Sequence, residues 1–159
     1  MDKKKLVEAI ITQLESDLVA AKATAKVSRE AATNEESKPE NEYDTRALEA
    51  SYLAGAQSKR VVEIEELISI FKFIQVKDFK PNEGISATAL VQVELDGKRS
   101  FLFIVPKGGG LILKMDGQTV QIVTPTSPLG ETLLDLQAGD TALVEIGDTE
   151  KEYKILSVR

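Results

Sequence analysis

With no cysteine and no histidine in 159 residues, this chain has no thiolate nucleophile, no ordinary zinc ligand set, and no Ser-His or Cys-His pair. Chemistry must come from carboxylates, hydroxyls or cations. The densest acidic group is Asn34 to Asp44, Asn-Glu-Glu-Ser-Lys-Pro-Glu-Asn-Glu-Tyr-Asp, which carries Glu35, Glu36, Glu40 and Glu42. Beside a helix start, such acids do ordinary work. Asp44 or Thr45 can cap the helix, and the neighbouring carboxylates are favoured by the positive end of its dipole. No metal site follows from these residues by themselves. A second set, Lys22, Lys26 and Arg29, repeats at helical spacing and offers either a path for phosphate or a solvated face. Lys107-Gly108-Gly109-Gly110 lacks the Gly-Lys-Ser/Thr ending of a phosphate loop and reads as a flexible turn.

The acidic stretch is positioned by what flanks it. From Asp2 to about Thr33, Leu6, Ile10, Leu14, Leu18, Ala21 and Ala25 recur every three or four residues, one apolar stripe of a long helix. The stripe shrinks to alanine toward the acidic end, which allows close approach of a partner helix. Pro39 removes a backbone donor and discourages helix at Lys38, so the first helix stops in this region. A second helix is expected over Thr45 to Phe73, with Leu48, Tyr52, Gly55 or Ala56, Val62, Leu67 and Phe71 as its apolar face. Gly55, mid-helix, is either a close-packing point or simply tolerated. Two long helices joined by a short turn fold back on each other, which makes 34–44 the tip of an antiparallel hairpin. At 1.5 Å per residue, about thirty residues give an arm of roughly 45 Å.

After about residue 75 the pattern becomes that of short strands. Lys80-Pro81-Asn82-Glu83-Gly84 is a turn, and Ala87 to Leu95 reads as a strand. Asp96-Gly97 turns the chain into Arg99 to Val105. Gly110 to Met115, Asp116-Gly117 and Thr119 to Thr124 form a second hairpin candidate. Ser127-Pro128 reads as an N-cap with proline at the first helical position, opening a short helix through Leu134. Thr141 to Ile146, Gly147-Asp148 and Glu152 to Val158 end the chain as two more strands. Five or so strands and one helix make a small α+β domain, and two domains are expected, 1–75 and 76–159.

Composition narrows the function classes. Aromatics are sparse at 5% and tryptophan is absent, which opposes a large aromatic-lined ligand pocket. A net charge of -6 opposes broad nucleic-acid binding. Leu6 onward mixes in Glu8, Gln13, Glu15 and Asp17, which suits neither a signal peptide nor a membrane span, so a cytoplasmic protein with no membrane partner is expected.

Two stretches resemble the bacterial Gre-type transcript cleavage factors. Glu40-Asn41-Glu42-Tyr43 is similar to that family's Glu-Asn-Ala-Glu/Asp-Tyr tip, with one residue missing after Asn41. Thr126-Ser127-Pro128-Leu129-Gly130, Leu133-Leu134, Gly139-Asp140 and Glu152-Tyr153-Lys154-Ile155 follow the family's order and spacing, as do Pro81-Asn82 and Gly84. The resemblance implies an α+β chain with an N-terminal antiparallel coiled-coil hairpin and an FKBP-like C-terminal domain. It also implies that RNA polymerase is the partner, bound at the rim of its secondary channel, with indirect contact to nascent RNA. Ser127, Pro128, Leu129, Gly130, Leu133 and Leu134 would serve partner binding. Glu40, with Glu36, Glu35 and Glu42, would assist the polymerase's own hydrolysis of a backtracked transcript. The chain would then have no cofactor of its own and would hold no metal stably, acting on the Mg²⁺ of the polymerase active site. It would be no enzyme by itself, and a monomer is expected.

The departures define a second reading. Ser37 stands where the family has an Asp, Glu131 where a basic residue is usual, and Asp135-Leu136 where Gly-Lys is usual. A regulator that occupies the channel without stimulating cleavage fits these changes. A prolyl isomerase would rest on fold analogy alone, and the aromatic residues its pocket needs are scarce. A coiled-coil adaptor for an unrelated partner is the remaining reading.

Overall fold

The computed structural model describes residues 1–34, 45–80 and 82–159, the side chain of Ile146 excepted. Three helices and six strands follow in order. They are α1 (Lys3–Thr33), α2 (Arg46–Phe73), β1 (Leu90–Leu95), β2 (Lys98–Ile104), β3 (Ile112–Met115), β4 (Gln118–Val123), α3 (Pro128–Leu133), β5 (Thr141–Ile146) and β6 (Thr149–Val158). The chain divides into two units, Glu8–Phe73 and Met1–Val7 with Ile74–Arg159. A helical hairpin followed by a β-rich domain is the architecture the sequence implies.

In the helical unit, Lys22 of α1 pairs with Glu65 of α2 at 2.8 Å and Glu15 with Lys72 at 3.4 Å. Seven residues forward on one helix answer seven back on the other, so the helices run antiparallel in one register. Along α1 the expected stripe is inward: Ile10, Leu14 and Ala25 are buried, and Leu18 and Ala21 half-buried. The expected face of α2 is packed at its base, where Phe71 is buried and Leu67 half-buried, and is not the packed one toward the tip. Leu48, Tyr52 and Val62 are exposed at 55%, 71% and 53%, whereas Ile64, Ile68 and Phe71 are buried. Toward the tip the half-buried positions are Ala47, Ala50, Ala54, Gln57, Ser58 and Val61, rather than the larger apolar side chains. Small residues permit close helix approach, and here that outranks the burial of the larger apolar groups. A Cβ added at Gly55 would meet nothing within 4 Å, so the glycine is tolerated rather than a packing point.

The other unit is a six-stranded sheet in the order β3-β4-β2-β1-β6-β5. All neighbours are antiparallel except β2 and β4, which run parallel with Phe101 opposite Val120 and Ile104 opposite Val123. Asp96-Gly97 and Asp116-Gly117 take φ values of 50° and 73°, and 52° and 73°, the paired left-handed geometry of two-residue hairpin turns. One face of the sheet carries Val91, Val93, Leu102, Ile104, Val123, Ala142 and Ile155, packed with Ile85 and with Leu133 of α3. The opposite face is apolar and buried through Leu90, Phe101, Phe103, Val120 and Ile122. Burial on both faces explains the continuous apolar run Phe101 to Ile104 in β2.

Two strands depart from expectation. β6 begins at Thr149 rather than Glu152, and β1 begins at Leu90 rather than Ala87. Thr88 stands at φ 69°, an uncommon backbone conformation for a β-branched residue. Its amide donates to the Ile104 carbonyl at 2.8 Å, and its hydroxyl accepts from the Lys77 amide at 3.0 Å. The Lys3 ammonium donates to the carbonyls of Thr88, at 3.1 Å, and Lys77, and lies 5.0 Å from the centre of the Phe79 ring. Burial lowers the Lys3 pKa from 10.5; Asp78 opposes the shift and Lys77 adds to it.

Candidate functional site

The short helix α3 is built by its own sequence. Ser127 is extended (φ -81°, ψ 153°), its hydroxyl donates to the Thr124 carbonyl at 2.8 Å, and it accepts from the Gly130 amide at 3.1 Å. Pro128 follows at the first helical position, where a missing amide costs nothing. Gly130 is needed for space: an added Cβ would stand 2.8 Å from the Thr124 carbonyl carbon and 3.0 Å from the Ser127 hydroxyl, and would collide with the Thr124 carbonyl oxygen. Leu133 is fully buried beneath the helix.

The helix exit is fixed as firmly. The amides of Ile85 and Asp135 donate to the carbonyls of Leu136 (2.8 Å) and Ile85 (3.0 Å). Asp140 accepts from the Gln137 amide at 2.7 Å through its carboxylate, and Gly139, at φ 100°, donates to Ile155. Gly130, Leu133, Gly139 and Asp140 therefore have structural reasons to be what they are. Of the six residues expected to bind a partner, Gly130 and Leu133 are buried, Ser127, Leu129 and Leu134 are half-buried, and Pro128 is exposed. Pro128 and Glu131 are the exposed residues of the helix, and Leu129 is half-buried against the core.

Beside α3 lies a groove of about 750 Å³ lined by Ile122, Val123, Leu129, Val144 and Tyr153, with Gly109 and Gly110 at its edge. Thr124 and Ser127 supply hydroxyls there. An adjoining concavity of about 340 Å³ shares Pro128, Val144 and Glu145 and adds Glu131, Leu143 and Glu150. The groove was not legible in the sequence, because it gathers β4, α3, β5 and β6 from positions far apart in the chain.

The tip residues Glu35, Glu36, Ser37, Glu40 and Glu42 lie outside the described residues, as does Pro81. Among the described residues no cluster of three or more metal-ligating side chains occurs. The basic set Lys22, Lys26 and Arg29 is exposed and lines a groove of about 370 Å³ with Ser58, Val61 and Val62; Lys22 is tied to Glu65, and Lys26 stands 3.9 Å from Glu30. Among the described residues no helix is long and apolar enough to cross a membrane.

Residues 81–159 match the family model of the transcription elongation factor GreA/GreB C-terminal domain. A comparison with curated proteins finds no match. Among solved structures, the chain is similar to the GreA factor homolog Gfh1 of Thermus thermophilus, at 16% identity and a TM-score of 0.39, over 94% of each chain. Thermus aquaticus Gfh1 gives 18% identity and a TM-score of 0.40, over 98% of this chain and 92% of that one. A GreA/GreB elongation factor from Nitrosomonas europaea gives 19% and 0.37, over 70% and 91%.

Proposed function

We propose that this chain, which belongs to the GreA/GreB transcription elongation factor family through residues 81–159, binds RNA polymerase with its C-terminal unit and serves it with the tip of its hairpin. The observation that carries the reading is the match over 81–159, whose motif residues build α3 and leave Pro128 and Glu131 exposed. The antiparallel arm supports it, since two helices of 31 and 28 residues carry the acidic segment some 40 Å along their length.

In the mechanism, α3 and its surroundings hold the polymerase at the rim of its secondary channel while the arm enters. Glu40, with Glu36, Glu35 and Glu42, would then offer carboxylate oxygens to hold the polymerase's Mg²⁺ and would orient a water toward the scissile phosphodiester. Oxygen donors suit Mg²⁺, and an ion held there would supply stabilisation of the charge that develops during hydrolysis. The hydrolysis is the polymerase's own.

Ser37 favours a second reading, because the family places an Asp there and metal-assisted hydrolysis tolerates little misplacement. In that reading the chain occupies the channel and regulates transcription without cleavage. Backtracked complexes with 5′-labelled transcripts separate the two. Shortened transcripts that require this chain support the first reading, and bound chain without shortening supports the second. Failure of the full chain to co-elute with core polymerase refutes both.

A further inference from the structure

We propose that the free edge of β3 pairs with β3 of a second copy of this chain, antiparallel and centred on Leu113, so that two sheets join edge to edge. The inference stands apart from the polymerase reading.

β3 ends the sheet, with β4 as its one neighbour. The Ile122 amide donates to the Leu111 carbonyl at 2.8 Å, which fixes the hydrogen-bonded side of this ladder. By alternation Leu113, opposite Val120, and Met115, opposite Gln118, also turn their amides and carbonyls to β4. The backbone groups of Ile112 and Lys114 therefore point away from the sheet, a template for another strand. Side chains alternate as well. Leu111, Leu113 and Met115 are half-buried on the face that carries Val120 and Ile122, while Ile112, 65% exposed, and Lys114 stand on the other.

This strand complements itself in one register. Centred on Leu113, Ile112 lies opposite Lys114 of the second copy, and the outward backbone groups of both residues find partners. On one face Leu113 meets its own counterpart and Leu111 meets Met115, an apolar row across the junction. On the other, the exposed Ile112 lies along the aliphatic stem of the second copy's lysine.

A lysine on an edge strand usually opposes pairing, and here it does so selectively. Centred on Lys114, two ammonium groups would stand directly opposite each other, and like charges so placed repel. Centred on Ile112, Lys114 would face Gly110, whose amide already donates to the Ile122 carbonyl at 2.9 Å. The charge thus selects the register at Leu113. Pairing over so short a strand falls below the roughly 1,000 Å² of a stable interface, so the dimer is weak and exchanges quickly.

Because the chain has no cysteine, single thiols report the register. Leu113 and its counterpart would form a non-hydrogen-bonded pair with Cα atoms about 4.5 Å apart, within the span of a disulfide. Residue 112 is offset from its own counterpart by two positions along the strand, beyond that span. Full-length Leu113→Cys and Ile112→Cys proteins are oxidised at high concentration and resolved without reductant. Leu113→Cys is expected to form a covalent dimer and Ile112→Cys to remain a single chain. In ¹⁵N-labelled wild-type protein, the amides of Ile112 and Lys114 are expected to shift with protein concentration. Lys114→Pro removes an outward amide that β4 does not use, so it is expected to keep the amide spectrum of the fold and lose those shifts.

Equal crosslinking of the two thiol variants overturns the proposal. So do concentration-independent amides at 112 and 114, or concentration-dependent shifts that persist in a folded Lys114→Pro protein. Binding or loss of polymerase changes none of these readouts.

Discussion

Replacing Gly130 by alanine puts one methyl group where the Thr124 carbonyl already stands. The added carbon would be 2.8 Å from that carbonyl's carbon and 3.0 Å from the Ser127 hydroxyl, closer than unstrained structures allow. Both obstacles are fixed. The Thr124 oxygen accepts from the Ser127 amide and hydroxyl at 3.0 and 2.8 Å, and that hydroxyl caps the Gly130 amide. Relief requires α3 to lift, which breaks the cap and draws Leu133 off the core. Overpacking costs about 1–3 kcal/mol and a lost cap about 1 kcal/mol, so a loss of about 3 kcal/mol is expected. With a urea slope of about 1–3 kcal/mol per molar, the midpoint should fall by roughly 1–3 M. The assay is urea unfolding of the full chain followed by hydrogen exchange at amides of β1 and β4, which reports the C-terminal unit rather than the hairpin. Ser127→Ala should cost only about 1 kcal/mol, and the double variant should cost less than the sum, because both changes act on one carbonyl. A Gly130→Ala protein with an unchanged midpoint would refute the account of why this motif has glycine there.

Further outcomes follow from other sites. Gly55→Ala should raise hairpin stability by about 0.5–1 kcal/mol in thermal melts, since the position has open space and helical backbone. Lys3→Met should destabilise the C-terminal unit by about 1–3 kcal/mol, through the two carbonyls it strands at Lys77 and Thr88. Because burial lowers the Lys3 pKa below 10.5, the unfolded chain holds that proton to higher pH; titration through the lowered value toward 10.5 should therefore raise wild-type stability relative to Lys3→Met. Glu83 runs the familiar way: bonds from the Lys77 ammonium and the Lys80 amide hold its pKa below 4.5, so its contribution is present above 4.5 and lost as pH falls through the lowered value. Acid unfolding of Glu83→Gln should lack that component.

Much of the fold is written locally. Asp96-Gly97 and Asp116-Gly117 specify left-handed two-residue turns, and Ser127-Pro128 specifies a cap and a first helical residue; each is found as its chemistry requires. The α1 stripe is equally plain, because large apolar residues at the base grade into alanine in one phase. The packed face of α2 is not plain. Its inward residues near the tip are alanines at 47, 50 and 54, and a reading weighted by hydrophobicity follows Leu48 and Tyr52 instead. The bend at Thr88 hides in a run that reads as strand, since the contacts holding it come from Lys3, Lys77 and Ile104. The parallel β2–β4 pairing, and the acidic groove formed by α3, β5 and β6, depend on contacts that no local pattern announces. The motif at 126–134 is visible as a motif, but only packing separates its structural members, Gly130 and Leu133, from its exposed ones, Pro128 and Glu131.

The absence of cysteine makes the most direct test of the central claim simple, because Asn41→Cys introduces a unique thiol at the tip. That variant, carrying a short photocrosslinker, is bound to backtracked polymerase complexes and irradiated, and the attachment point is mapped. The account predicts crosslinks to polymerase segments around the catalytic Mg²⁺ and to the 3′ part of the transcript. Crosslinks confined to the outer surface of the polymerase, from a chain shown to be bound, would contradict it.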